Sequence, residues 1–119
     1  APMVEVLSFV EAGKLKGLGV TTKQRSALMP DLPAIGELVP GYEVALWNGI
    51  MIPAATPADI VNKLNAAIVK AVNSTDLKQR FAEQGADPAP TTPAEFQKFI
   101  AGELDKWARL VKISGAKVE

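Results

Sequence analysis

Residues 41–57 read GYEVALWNGIMIPAATP, and this stretch decides how the rest of the chain is organised. Its centre is apolar and partly β-branched, and Pro40 and Gly41 bound it on one side and Pro53 on the other. That pattern is typical of a buried strand. We therefore predict a strand that runs directly into the first turn of a helix.

The helix start after this strand is predicted from three residues. Thr56 is placed to act as an N-cap, and Pro57 suits the first helical position, where its missing N–H is not needed. Asp59 lies in the first turn, near the positive end of the helix dipole. Apolar residues at helical spacing then continue, so we expect a helix over residues 57–72.

Two further helices are predicted towards the carboxyl end. Ser74 is a suitable N-cap for a helix over 75–84, and Gly85 follows it. Thr92 and Glu95 have the spacing of a capping box, which predicts a long helix from residue 93 to about 114.

The amino-terminal side is less regular. Residues 3–12 have helical spacing and precede Gly13, so we expect a short helix there. Residues 15–21 alternate apolar with small or polar residues and suit a strand. Residues 22–40 contain three prolines and form a long loop, with room for a short helix at 34–38. This loop is either a surface connection or a functional segment.

Composition excludes several classes of function. The 119 residues contain thirteen basic and thirteen acidic side chains, which argues against nucleic acid or an anionic membrane as a partner. There is no histidine and no cysteine, so the commonest general base, nucleophile and zinc ligands are missing. Glu103 and Asp105 are two positions apart on a helix and cannot act as a pair. We predict no enzyme activity, no cofactor and no metal site.

The two tryptophans receive different interpretations. Trp107 falls in the apolar stripe of the last helix, with Leu104 and Leu110, and is expected in the core. Trp47 lies beside Asn48 and Gly49 and either packs in the core or lines a cleft.

One known family has the same residues in the same order. The shared segments are, from the amino end, GKLKGLGVT at 13–21, RS at 25–26, LMPDLP at 28–33 with Glu37, PGYE at 40–43, WNGI at 47–50, PAATP at 53–57, NKLN at 62–65, GADP at 85–88, TPAEF at 92–96, and Glu103 with Lys106 and Trp107. On these residues the chain resembles the Bug-type periplasmic solute-binding receptors of tripartite tricarboxylate transporters. It departs from the family at Ala34, where threonine is usual.

The resemblance implies an α/β fold: the carboxy-terminal, helix-rich part of a two-lobed class II periplasmic binding protein. Residues 1–41 would be the tail of the second lobe, residues 42–55 a hinge-crossing strand, and residues 56–119 the helical completion of the first lobe. The opening APMVE is not a leader sequence, which fits a mature or mid-chain start.

The resemblance also implies the function, a periplasmic receptor that captures a small carboxylate and presents it to a membrane permease. Ligands bind outside the carboxyl ends of the strands of an open α/β sheet, which points to Thr21 and Thr22. A hinge strand behind the cleft points to Trp47 and Asn48. With each lobe cut, we expect self-association through unpaired edges. The alternative is a small helical module without a ligand that binds a protein through its last helix.

Overall fold

The computed structural model describes residues 1–116, and in this range the regular structure is helical. Four α-helices follow one another: α1 (Met3–Glu11), α2 (Ala58–Val72), α3 (Thr75–Glu83) and α4 (Pro93–Ser114). A single 3₁₀ turn, Ile35–Glu37, interrupts the long segment between α1 and α2. All four predicted helices are confirmed, and so is the short helical turn in the proline-rich loop.

Local capping sets the ends of the last two helices as the sequence predicts. The Ser74 side chain accepts a hydrogen bond from the Leu77 backbone N–H at the start of α3. At the start of α4, Thr92 and Glu95 form both halves of a capping box. Gly115 follows α4 with φ 66°, in the left-handed region that favours glycine, and so ends the helix.

The prediction that Thr56 caps α2 is wrong. The helix begins at Ala58, Pro57 occupies the N-cap position, and no side chain caps it. The Thr56 backbone N–H donates to the Pro53 carbonyl at 3.0 Å, which closes a turn before the helix starts. That turn leaves Thr56 one position too early to reach the free N–H groups of the first helical turn.

The two predicted strands are not part of a sheet within residues 1–116. Of residues 15–21, Val20 alone makes a bridge, an isolated parallel one with Ala34. Two backbone hydrogen bonds join residues 42–55 to the amino-terminal part, from the Tyr42 N–H to the Val39 carbonyl at 3.1 Å and from the Val44 N–H to the Thr21 carbonyl at 2.8 Å. A strand is stabilised by its neighbours, and the described residues supply no neighbouring strand for either segment.

The buried apolar core of the described range is small. Val20 and Ala34, the two bridge partners, are its buried hydrophobic residues, at 7% and 1% exposure. The α2 helix contacts both α3 and α4. Trp107 is 43% exposed, so the prediction that it lies in the core is wrong.

The dimensions agree with an open arrangement. The radius of gyration is 17.0 Å, whereas a compact chain of this length has about 13.5 Å. The solvent-accessible surface is 9,599 Å², against about 6,200 Å² for a folded monomer of this mass. None of the helices found between residues 1 and 116 is long and apolar enough to cross a membrane.

Candidate functional site

Thr21 and Thr22 lie just after the Val20 bridge, where the chain leaves its contact with Ala34. Both residues are exposed. The Thr21 carbonyl accepts the hydrogen bond from Val44, so Thr21 joins the amino-terminal part to residues 42–55. The Thr22 hydroxyl donates to the Gln24 carbonyl at 2.7 Å. Its proton is therefore used within the loop, and its oxygen remains free to accept.

A row of backbone donors follows the bridge. Among the described residues, none accepts a hydrogen bond from the backbone N–H groups of residues 21–25. Lys23 adds positive charge to the same row, which contains no acidic residue. Successive free N–H groups of this kind are suited to an anion, because a carboxylate only accepts hydrogen bonds.

An ion pair holds the loop that follows this row. The Arg25 guanidinium binds Glu37 through both carboxylate oxygens, with Nε to Oε1 at 2.8 Å and Nη2 to Oε2 at 2.7 Å. Glu37 also accepts from the Ala34 backbone N–H at 2.9 Å. These hydrogen bonds, that of Arg25 first, lower the pKa of Glu37 to about 2, and Glu37 in turn raises the pKa of Arg25. The Arg25 guanidinium is therefore occupied by Glu37, and this ion pair holds the loop.

Trp47 packs on the first two turns of α4. Its ring meets Phe96 edge-on at 5.7 Å between centroids and Phe99 edge-on at 5.1 Å. The two phenyl rings are themselves stacked at 6.2 Å. Offset and edge-to-face geometries of this kind are favoured by the ring quadrupoles. We call Trp47, Phe96 and Phe99 the aromatic cluster.

Glu103 connects the aromatic cluster to the rest of α4. Its Oε2 accepts from the indole N–H of Trp47 at 3.2 Å and from that of Trp107 at 3.1 Å. Its Oε1 pairs with Lys106 one turn further on. The hydrogen bond from Lys106 is the largest cause that lowers the pKa of Glu103; burial opposes it, and both indoles add to the lowering. The Glu103 side chain is 12% exposed, so this carboxylate is a structural acceptor.

The segment around Trp47 alternates between two faces. A side chain added at Gly49 would overlap the Phe96 ring, so residues 47 and 49 both face α4. Leu46 and Ile50 are 75% and 66% exposed, and Asn48 between them is also exposed. This alternation has the period of an extended chain. Trp47 and Asn48 therefore lie on opposite faces of the segment.

The four predicted site residues form two separate groups in the described range. Thr21 and Thr22 belong to the row of free backbone N–H groups. Trp47 packs on α4, and Asn48 is exposed to solvent. No hydrogen bond between described residues connects the two groups. Their role in ligand binding stays a prediction.

Sequence reasoning missed Glu103 as a structural residue. The signal was present, because Phe99, Glu103 and Trp107 are successive residues at i, i+4 spacing on α4. An acid inside an apolar stripe indicates a carboxylate with buried partners. The fact that Trp47, 56 positions away, supplies one of them is a tertiary contact that no local pattern contains.

Groups that carry out chemistry are not assembled anywhere in residues 1–116. No group of three or more acidic side chains there could hold a metal ion. The structure does contain exposed backbone N–H groups at residues 21–25. It also contains the aromatic cluster, which packs residues 47–49 against α4.

Two solved structures are similar to this chain. A structure of an R. palustris protein with adipate matches 95% of the chain with a TM-score of 0.78 at 32% sequence identity, and the match covers 38% of that chain. The periplasmic binding protein BugD matches 96% of the chain with a TM-score of 0.76 at 27% identity, covering 39% of BugD.

Sequence comparison assigns the family. The family described as "tripartite tricarboxylate transporter family receptor" matches residues 1–116, and the chain belongs to it. Protein BugT of Bordetella pertussis is 35% identical over 118 residues, 98% of this chain. The chain spans 36% of the length of BugT and 30% of that of a related protein from Pseudomonas sp. strain P51. The recognised resemblance is confirmed.

Proposed function

We propose that this chain is part of a periplasmic receptor that binds a small organic acid for a tripartite tricarboxylate transporter. The observation that carries the proposal is the family match, which runs through the described range from residue 1 to residue 116.

In this proposal the chain contributes to both lobes of a class II binding protein. Residues 1–41 are the tail of the second lobe, residues 42–55 cross the hinge, and residues 56–119 complete the first lobe. Two contacts support this division. Val44 is hydrogen-bonded to Thr21 in the first part, and Trp47, three residues later, is hydrogen-bonded to Glu103 in the last part.

The ligand we propose is a small carboxylate. The backbone N–H groups of residues 21–25 would supply hydrogen bonds to it, with Lys23 adding positive potential. A similar protein has been solved with adipate, a dicarboxylate, which supports this class of ligand. Thr22 contributes its backbone N–H, because its hydroxyl proton is already donated to Gln24. Asn48 offers an exposed amide on the crossing segment.

The partner is the membrane permease of the transporter, and the compartment is the periplasm. The family description supports a receptor that works with a transporter. The description of BugD as a periplasmic binding protein supports the location.

A helical protein-interaction module is the second candidate. It is favoured by exposed apolar residues on α4, with Leu104 at 67% and Ile113 at 77%. A module of that kind needs one compact body, however, and the radius of gyration of 17.0 Å is too large for one. We therefore place the receptor first.

The test uses a longer receptor polypeptide that contains this chain. Thermal shift with a panel of mono-, di- and tricarboxylates should show saturable stabilisation by at least one acid. A receptor that responds to none of them, while responding to amino acids or sugars, would contradict the proposed ligand class.

Two substitutions at one position separate backbone from side-chain binding. Thr22→Pro removes the N–H, and Thr22→Ala removes the hydroxyl alone. Loss of one hydrogen bond to a charged ligand weakens binding about tenfold or more, so we expect that loss for Thr22→Pro and less than about a threefold change for Thr22→Ala. Equal losses would show that residue 22 does not bind through its N–H. Circular dichroism of both variants checks that the fold is kept.

A further inference from the structure

Ser26 joins two distant segments of the chain. It is 6% exposed, and no other polar residue of the described range is buried. Its hydroxyl donates to the Asp87 carboxylate at 3.2 Å, and its oxygen accepts from the Leu28 backbone N–H at 3.2 Å. A hydroxyl has one hydrogen to donate, so Asp87 occupies the whole donor capacity of this buried group. Without that acceptor the buried donor would be left unpaired, which is unfavourable.

Asp87 follows the turn that ends α3. The Ala86 N–H donates to the Phe81 carbonyl at 2.9 Å, which ties this turn to the helix. A side-chain carbon added at Gly85 would lie 3.0 Å from the backbone nitrogen of Val4, so the same turn touches α1. A second contact with the amino-terminal part therefore accompanies the hydrogen bond of Asp87.

Ser26 directly follows the row of free backbone N–H groups at residues 21–25. Val20, at the other end of the row, is held by its parallel bridge, and the Arg25–Glu37 ion pair holds the loop from one side. The partners in these contacts lie in the same part of the chain. The acceptor of the Ser26 hydroxyl is instead 61 positions away, and in the proposed division it belongs to the other lobe.

We propose that Asp87 is a positioning residue for the carboxylate ligand, because through Ser26 it holds residues 21–25 in the arrangement that binds the anion. This role rests on the proposed function. Asp87 does not bind the ligand itself, since two ionised carboxylates only accept hydrogen bonds and repel each other. The apparent affinity of a ligand falls with the fraction of the protein in the competent arrangement. Loss of the bond between Asp87 and Ser26 should therefore weaken binding.

Calorimetric titration of a longer receptor polypeptide that contains this chain tests the role of Asp87. The probe is adipate, or the acid of the carboxylate panel that stabilises the receptor most. Loss of one hydrogen bond changes an equilibrium about threefold or more, so Asp87→Ala should raise the dissociation constant by at least that factor. Asp87→Asn keeps an oxygen that accepts from Ser26 and should bind within about twofold of the unchanged receptor. Thr92→Ala removes a capping hydrogen bond of α4 instead, so it controls for lost stability and should leave the affinity unchanged.

A double variant and NMR relaxation show whether Asp87 acts through Ser26. If it does, adding Asp87→Ala to Ser26→Ala should cause no further loss of affinity. In the receptor without ligand, the backbone order parameters of residues 21–25 should fall in Asp87→Ala and be kept in Asp87→Asn.

The outcomes separate this role from the proposed function. A receptor that binds its carboxylate equally well with and without Asp87→Ala overturns the role and leaves the proposed function standing. Additive losses in the double variant, or a loss for Thr92→Ala as large as that for Asp87→Ala, also overturn the role alone. A receptor that no acid of the panel stabilises overturns the proposed ligand class and this role with it.

Discussion

Glu103 holds the contact between residues 42–55 and α4. One carboxylate oxygen accepts from two indoles, and the other pairs with Lys106. Hydrogen bonds to a charged acceptor are stronger than neutral ones, and leaving the donors unpaired carries a further penalty. The sequence shows an acid at i, i+4 spacing between two aromatic residues of α4, but it does not show that Trp47 contacts this acid. That contact depends on how residues 42–55 pass over α4.

We predict that Glu103→Gln lowers the free energy of unfolding by about 1–2 kcal/mol. The amide keeps the shape of the side chain but loses the charge that Lys106 and the indoles bind. Asp105→Asn is the control: it removes an exposed acid from the same helix and should change stability by less than about 0.5 kcal/mol. Urea unfolding followed by tryptophan fluorescence measures both. Equal effects of the two substitutions would contradict the role of Glu103.

The Arg25–Glu37 pair makes a prediction about pH. The pKa of Glu37 is lowered to about 2 from an ordinary value of 4.5. Since the folded state holds the charged form, the pair contributes fully above pH 4.5, and its contribution is lost as the pH falls towards 2. Titration of the Glu37 carboxyl by NMR should show a midpoint near 2.

The matched variant for that titration is Arg25→Gln. It removes the first cause of the low pKa and leaves the Ala34 N–H, so the midpoint should rise from about 2 towards the ordinary value of 4.5. An unchanged midpoint would mean that Arg25 does not hold the carboxylate in solution.

At the scale of elements, the helices were predictable and the strands were not. Ser74, Thr92, Glu95 and Gly115 determine helix ends by hydrogen bonds to residues within one turn, so a short stretch of sequence is sufficient. Residues 15–21 and 42–55 have strand-like composition, but a strand also needs partners, and the described part of the chain does not supply them. Composition alone could not show that these partners are missing.

The capping box of α4 gives the first test at this scale. Thr92→Ala removes the side chain that accepts from the Glu95 N–H, and loss of such a cap costs about 1 kcal/mol. Thr91→Ala is the control, because the Thr91 side chain makes no hydrogen bond to any described residue. Thermal unfolding should show a lower midpoint for Thr92→Ala alone; equal midpoints would contradict the capping role.

Substitution of two glycines by alanine should change the stability in opposite directions. Gly49→Ala introduces a methyl group into the Phe96 ring and should destabilise by about 1–3 kcal/mol. Gly102→Ala, inside α4 with nothing within 4 Å of the new methyl group, should stabilise by about 0.5–1 kcal/mol through helix propensity. If Gly49→Ala were neutral in chemical unfolding, residue 49 would not face α4.

At the scale of the whole molecule, the chain is more open than a compact protein of its length. Its radius of gyration and its surface both exceed those of a compact protein of the same length, and its buried apolar core within the described range is Val20 and Ala34. The sequence indicated this through its resemblance to receptors much longer than the chain, and the match to about a third of BugT agrees. That Trp47 packs on α4 while Asn48 is exposed could not be predicted, because it depends on the path of residues 42–55 past α4.

The central proposal is that this chain carries part of a carboxylate-binding cleft. Calorimetric titration of adipate and of citrate into the purified 119-residue chain tests it most directly. We predict no saturable heat at millimolar ligand, whereas the longer receptor polypeptide under the same conditions should bind one of its carboxylates. Saturable binding with micromolar affinity by the 119-residue chain alone would contradict the claim.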